Sequence, residues 1–173
     1  MSKILGVDPG MHETGWAVLE GAAGAPRLVA SGVIRTEPGR PLPERLRDIH
    51  AALGAVLAEH APESCAMEEM FFTTIAHTVR ATLQARGVAL LAVAQAGKAV
   101  HEYNPKTVKA TLTGSGRAEK AQMQAVVQKA LGLAERLRPN DVADAAAIAL
   151  CHLRVGRLKG LRVLDSWGAK AAR

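Results

Sequence analysis

Four carboxylates occupy positions that chemistry explains better than folding does. Two of them end short apolar runs and two begin an Ala-rich helical pattern: Asp8, Glu68, Asp141 and Asp144. Hard divalent cations such as Mg²⁺ prefer oxygen ligands, and a pair of such ions needs several carboxylates that converge from separate elements. We therefore interpret these acids as the candidate ligands of up to two Mg²⁺ ions.

Each acid also has a purely structural interpretation. Asp8 comes directly before a Pro-Gly pair, which is typical of a turn. Asp141 and Asp144 stand at a helix start, where capping and the helix dipole favour acids, although their i, i+3 spacing also puts both on one face. Glu68 is harder to explain in this way, because an unpaired carboxylate at the end of an interior strand is costly to bury.

The spacing of apolar residues predicts the elements that must position these acids. Three short runs joined by Gly- and Pro-containing turns predict an antiparallel meander of strands at 4–8, 15–19 and 28–35. The later pattern predicts helices over 42–57, 74–96, 105–112, 118–131 and 141–156, with strands at 64–68 and 99–103. This order predicts an α/β domain with one mixed five-stranded sheet, parallel in its second half and flanked by helices.

Length and composition fit a single cytoplasmic domain. A chain of 173 residues can bury a full core, and no stretch of eighteen or more residues lacks charge, which argues against a membrane span. The first residues contain no signal-peptide cleavage site, so we expect a cytoplasmic location. Cys65 and Cys151 lie among apolar residues, which favours buried reduced thiols over a disulfide or a metal site.

Positive charge is concentrated in two segments. The formal net charge is +6; residues 98–120 hold five Lys and Arg against two acids, and residues 151–173 hold six against one. Basic segments beside an acidic centre indicate a protein that binds a polyanion while its centre holds cations, which is typical of a nuclease. A solvated basic surface is the alternative. We expect residues 1–156 to form the domain and residues 157–173 to form a basic, flexible C-terminal tail.

Six sequence blocks together carry a family resemblance. They occur in order between about residues 3 and 153: Gly6-Val7-Asp8-Pro9-Gly10 with Thr14-Gly15-Trp16, Met67-Glu68-Glu69-Met70-Phe71, Gln84-Ala85-Arg86-Gly87, Glu102-Tyr103 with Val108-Lys109, Ala118-Glu119-Lys120, and Asp141-Val142-Ala143-Asp144-Ala145. This set resembles the RuvC family of Holliday junction resolvases, the crossover junction endodeoxyribonucleases. The resemblance implies an RNase H-like fold.

The resemblance also implies an activity and its partners. It implies a structure-selective endonuclease that resolves four-way junction DNA by paired, symmetric, metal-dependent hydrolysis during recombination and repair. Paired cuts need two acid sets, so we expect a homodimer with a two-fold axis. The helix over 74–96 is the predicted interface, and a wholly buried core helix is the alternative. A motor complex for junction recognition and branch migration is the expected cellular partner.

Individual roles follow from matching the family's motifs. The four acids match ligands of the catalytic ions, normally Mg²⁺ or Mn²⁺. Lys109 and Lys120 match basic residues near the scissile phosphate or the DNA backbone, so we include both in the catalytic set. Phe71 matches an aromatic that reaches unpaired bases at the crossover, and its neighbour is the alternative ring. The candidate DNA contacts are Phe71, Phe72, Lys106, Lys109, Arg117 and Lys120.

Three departures from the family pattern concern DNA contacts rather than the acids. Glu69 adds a carboxylate beside the predicted site, and Ile75 and His77 replace smaller polar residues. Among other classes, a sugar-kinase or actin-like ATPase needs a duplicated domain and a longer chain, and a junction-binding module that does not cleave would lack the acids. An RNase H-like nuclease that acts on RNA or on another DNA structure is the principal alternative.

Overall fold

The computed structural model describes residues 2–69 and 77–158, which are built around a five-stranded sheet. The strands are β1 (Lys3–Asp8), β2 (Glu13–Ala22), β3 (Ala25–Arg35), β4 (Ser64–Glu68) and β5 (Ala99–Tyr103). They lie in the order β3-β2-β1-β4-β5; the first three are antiparallel neighbours, and β4 pairs in parallel with β1 and with β5. The predicted mixed sheet is confirmed.

Helices cover both faces of this sheet. They are α1 (Leu42–His60), α2 (His77–Gln95), α3 (Pro105–Thr113), α4 (Lys120–Ala130) and α5 (Asn140–Leu158). One face packs on α1 and α2, and the other packs on α5, with α3 and α4 beside it. Because β1 and β4 are covered on both sides, their central residues are continuously buried and apolar. Helix α5 continues two residues past the predicted domain boundary at 156.

The hairpin of β2 and β3 is longer than its sequence pattern predicts. The two strands pair as far as Ala22 and Ala25, whereas the prediction ended at residue 19 and resumed at residue 28. Gly21 has a φ of 118°, which favours glycine, and it pairs with Pro26 within the hairpin. The small residues here do not alternate between apolar and polar as in a half-buried strand. Pairing with the partner strand, and not the local sequence pattern, therefore extends the hairpin.

The sheet divides the core into two parts. Successive residues of a strand point to opposite faces, so Leu5 and Val7 enter the part under α1 and α2, while Ile4 enters the part under α5. Cys65 and Cys151 are free and fully buried, as predicted, and burial raises the pKa of Cys65 to about 12. No helix within the described ranges is both long and apolar enough to cross a membrane.

Candidate active site

Asp8 and Glu68 lie side by side at one end of the sheet. They are the last residues of β1 and β4, which are parallel neighbours with Val7 level with Met67. Val7 and Met67 are fully buried under α1 and α2. Because side chains alternate along a strand, the next residue of each strand points to the opposite face, toward α5. The two acids therefore share a sheet end and a face.

Helix α5 brings the other two acids to the same place. Asp141 lies in its first turn and Asp144 follows three residues later. Gly15 is level with Asp8 in the β1–β2 pair, and a Cβ at Gly15 would overlap the carbonyl group of Asp141. Gly6 is in equally close contact with the next turn of the helix. Both glycines are required because only a bare backbone lets α5 approach the sheet this closely.

Burial, together with repulsion from neighbouring carboxylates, raises the pKa of three of these acids. Burial, followed by the charges of Asp144, Asp141 and Glu68, raises the pKa of Asp8 to about 7. Burial, followed by the charge of Asp144, raises the pKa of Glu68. The pKa of Asp141 is raised as well, first by burial. The four acids thus form one electrostatic cluster at the end of the sheet.

Two lysines counter part of this negative charge. Lys120, the first residue of α4, donates from Nζ to Oδ2 of Asp144 at 2.8 Å, and this hydrogen bond raises the pKa of Lys120. The positive charge of Lys120 lowers the pKa of Asp8 and of Glu68. Lys109, on α3, also lowers the pKa of Glu68. Both lysines of the predicted catalytic set therefore lie within electrostatic reach of the acids.

No described contact links the other predicted DNA-binding residues to the acids. Lys106 is exposed in the first turn of α3, and Arg117 is exposed in the loop that leads to α4. Asn104 caps α3 by accepting a hydrogen bond from the Lys106 amide at 2.9 Å. Phe71 and Phe72 lie outside the described residues. The DNA-binding roles of these four residues stay predictions.

Of the three departures from the family pattern, Glu69 can be followed in its contacts. Its amide donates to the carbonyl of Tyr103 at 2.8 Å. Burial lowers the pKa of Arg86, and the charge of Glu69 offsets part of that lowering. Ile75 lies outside the described residues, and α2 begins at His77. Glu69 thus interacts with a buried arginine beneath the site.

Two neighbours of the acids received no role from the sequence, although one of them, Arg86, belongs to a block that carries the family resemblance. Glu13 hydrogen-bonds with Asp141 and raises its pKa, while it also accepts from Nε of Arg35 at 2.8 Å. The prediction began β2 at residue 15, so it placed Glu13 in a turn. The signal that could have identified Glu13 is the antiparallel pairing, because β2 then starts at the sheet end where β1 finishes. Arg86 donates from Nη1 to the carbonyl of Glu68 at 2.7 Å. The sequence feature that could have identified Arg86 is a charged residue on the inward face of an otherwise apolar helix.

The donor set fits a hard divalent cation. Across residues 2–69 and 77–158, no three His, Cys, Asp or Glu side chains stand close enough to form a ready-made metal group. The charges of Asp144, Asp141 and Glu68 nevertheless reach Asp8 from two other elements and, after burial, raise its pKa. Carboxylate oxygens are the ligands of Mg²⁺ and Mn²⁺, whereas thiolates and imidazoles suit softer ions. A bound cation would offset the negative charge that these carboxylates bring together.

Comparison with known proteins places this geometry in context. A family model described as Crossover junction endodeoxyribonuclease RuvC matches residues 4–152. The chain is 48% identical over 150 residues to the crossover junction endodeoxyribonuclease RuvC of Chloroflexus aggregans, covering 87% of this chain and 92% of that protein. The similarity therefore extends through all the elements that carry the acids.

Solved structures of Holliday junction resolvases are also similar to this chain. The chain is similar to T. thermophilus RuvC in complex with Holliday junction substrate, with a TM-score of 0.87 and 37% identity, covering 91% of this chain and 96% of that one. The yeast mitochondrial Holliday junction resolvase aligns with a TM-score of 0.67 and 15% identity over 93% of this chain and 82% of its own. This second likeness concerns the fold alone. The predicted RNase H-like fold is confirmed.

Proposed function

The chain belongs to the crossover junction endodeoxyribonuclease RuvC family, and we propose that it resolves four-way DNA junctions by paired hydrolysis of phosphodiesters. The observation that carries this proposal is the convergence of four acids from β1, β4 and α5 beside two lysines. RuvC nucleases are metal-dependent, and the oxygen-rich cluster suits that chemistry. Recombination and repair are the processes that such an activity serves.

We propose that Mg²⁺ binds here, with Mn²⁺ as a substitute and up to two ions per site. Asp8, Glu68, Asp141 and Asp144 would hold them. A divalent cation supplies an activated water nucleophile and neutralises charge on the leaving oxygen. The acids contribute position, because two are fixed at strand ends and two lie in the first turns of a helix that packs directly on the sheet.

The lysines would act on the phosphate itself. Lys120 is held at the cluster by Asp144, and Lys109 lies within electrostatic reach of Glu68. Preorganised cations at these points would stabilise the negative charge that develops on the phosphoryl oxygens. Hydrolysis of this kind leaves 5′-phosphate and 3′-hydroxyl ends, which a ligase can rejoin. Phe71, with Phe72 as the alternative ring, is proposed to stack on unpaired bases at the crossover.

Substrate choice tests this proposal directly. A synthetic four-way junction, a linear duplex and an RNA–DNA hybrid of matched sequence would be incubated with the protein and Mg²⁺. We expect symmetric paired nicks in the junction and little cleavage of the other two. Cleavage of the hybrid in preference to the junction would instead support the RNase H-like alternative, which no described contact favours.

The outward face of α2 supports a homodimer. Its inward face is buried, with Ala85 and Ala89 in the core. On the opposite side Leu83 is 40% exposed and Leu91 is 50% exposed, and they flank Gly87 at four-residue intervals. A Cβ at Gly87 would meet no heavy atom within 4 Å. We call Leu83, Gly87 and Leu91 the α2 stripe; a second copy of the helix could pack closely against it.

This geometry also refines the predicted interface. Val93 is fully buried, so it belongs to the core and not to the α2 stripe. Exposure of the stripe argues against a wholly buried helix. Two chains related by a two-fold axis would present two acid sets, which paired cuts require. We further propose a cytoplasmic location, a junction-recognition and branch-migration motor complex as partner, and a basic C-terminal tail after α5 that contributes to DNA binding.

A further inference from the structure

Arg86 is a buried cation directly behind the acid cluster. It projects from α2 and is 8% exposed. Its Nη1 donates to the backbone carbonyl of Glu68 at 2.7 Å, and its Nη2 forms an ion pair with Glu102. Burial lowers the pKa of Arg86, and the charges of Glu69 and Glu68 offset part of that lowering. A single guanidinium therefore joins α2 to the ends of β4 and β5.

The sheet also holds Glu68, because this residue pairs with Tyr103 of β5. Glu68 is the last residue of β4, and its neighbour Glu69 extends the pairing by one hydrogen bond, from its amide to the carbonyl of Tyr103. On β5, Glu102 is level with Met67. A group that contacts Glu102 and the Glu68 carbonyl at once fixes how β4 ends. The planar fork of arginine suits this double contact, whereas the single ammonium of lysine does not reproduce it.

We propose that Arg86 is a positioning residue that fixes the end of β4, and with it the carboxylate of Glu68, for metal binding. A hydrogen bond from Arg86 reaches the backbone carbonyl of Glu68, and the proposed positioning acts through that carbonyl. In sequence Arg86 lies between Leu83 and Gly87 of the α2 stripe, but its side chain is buried whereas that of Leu83 is exposed. The helix proposed to mediate assembly is thus the one that holds a ligand in place.

This inference rests on the proposed function, because it assumes that Glu68 binds a cation. The decisive variant is Arg86→Lys, which keeps the charge and loses the fork. Three properties would be measured: the Mn²⁺ concentration that gives half of the metal-dependent rise in Tm, junction affinity without metal, and hydrogen exchange of the Glu69 amide. Loss of a group that orients a ligand weakens metal affinity by about 10–100-fold. We expect a rise in the Mn²⁺ midpoint of about tenfold, faster exchange at Glu69 and unchanged metal-free affinity.

Arg154→Lys is the matched control. Arg154 lies on α5 and donates from Nη1 to the carbonyls of Thr111 and Leu112, both at 3.2 Å, so it also anchors backbone through a guanidinium. Its variant should lose a similar amount of metal-free Tm and keep the wild-type Mn²⁺ midpoint. Cleavage at saturating metal separates the roles further, because Arg86→Lys should recover most of the wild-type kcat there.

The possible results are distinguishable. An Arg86→Lys protein with a wild-type Mn²⁺ midpoint and normal protection at Glu69 overturns the positioning role, provided that the wild type binds metal and cuts junctions. An equal rise of the midpoint in Arg154→Lys also overturns it, since general loss of stability would then explain both. A wild type that shows no metal-dependent rise in Tm and no junction cleavage refutes the proposed function itself.

Discussion

Lys120 Nζ lies 2.8 Å from Oδ2 of Asp144, so a cation from α4 is paired with an acid of α5 inside the carboxylate cluster. The Lys120 side chain is 54% exposed and that of Asp144 is 34% exposed. An ion pair this open to solvent contributes roughly 0–1 kcal/mol to stability. Its importance is local, since it keeps a positive charge beside the acids and leaves the ammonium accessible to a phosphate.

Replacement of this lysine should separate DNA binding from stability. We expect Lys120→Ala to weaken junction binding and to flatten its salt dependence by about one unit of slope if the ammonium contacts a phosphate. Cleavage should fall more than binding, because a cation near the scissile phosphate also stabilises developing charge. Gel shifts at several salt concentrations and single-turnover nicking would measure the two effects.

Lys129→Ala provides the comparison on the same helix. Lys129 is exposed near the end of α4, about 14 Å along the axis from Lys120. Its variant should behave like the wild type in cleavage. Equal losses in both variants would mean that Lys120 contributes only to the general positive surface.

The acid ligands can be tested by isosteric substitution. Each of Asp8→Asn, Glu68→Gln, Asp141→Asn and Asp144→Asn removes one charge and keeps the shape, so cleavage should fall by orders of magnitude while junction binding survives. Glu63→Gln is the control, because Glu63 is exposed just before the opposite end of β4. Near-normal nicking by any one of the four would remove that residue from the ligand set.

The raised pKa of Asp8 predicts a pH-dependent stability without metal. The unfolded chain releases this proton near pH 4 and the folded chain near pH 7, so the Asp8 contribution becomes increasingly unfavourable as pH rises between these values. Asp8→Asn cannot ionise. With EDTA present we expect it to be more stable than the wild type by roughly 2–4 kcal/mol at pH 8, and this advantage should vanish near pH 4.

Urea unfolding across this pH range would measure the difference. Saturating Mn²⁺ should reverse the order at pH 8, because metal stabilises the wild type more than a variant that lacks one ligand. A stability difference that does not change with pH would contradict the raised pKa of Asp8 in the folded protein.

A charge in the α2 stripe should prevent assembly. Leu83→Glu places a carboxylate where two helices are proposed to pack, and we expect a folded monomer that binds junctions and makes poorly coordinated cuts. Leu42→Glu is the control, because Leu42 is a leucine with a similar exposure, 39%, at the start of α1. Light scattering would decide. A monomeric wild type, or a dimeric Leu83→Glu protein, would contradict the proposed interface.

Much of the site was determined by the sequence itself. The sequence shows that Asp8 and Glu68 end apolar runs and that Asp141 and Asp144 begin a helix. These features are predictable because each depends on residues within a few positions of one another. The roles of Lys109 and Lys120 came from family resemblance and not from local pattern. Their distances from the acids could not be derived from spacing, since α3 and α4 are separate from those acids along the chain.

Tertiary structure alone decided which of these elements meet. The absence of a side chain at Gly15 brings Asp141 next to Asp8, and antiparallel pairing brings Glu13 to the same sheet end. The partners of Arg86, the Glu68 carbonyl and Glu102, likewise depend on how α2 packs against the ends of β4 and β5. Local sequence determines where a strand or helix ends, because dihedral preference and periodicity are short-range. Contacts between those ends depend on how the whole sheet is ordered and packed, and many distant residues determine that together.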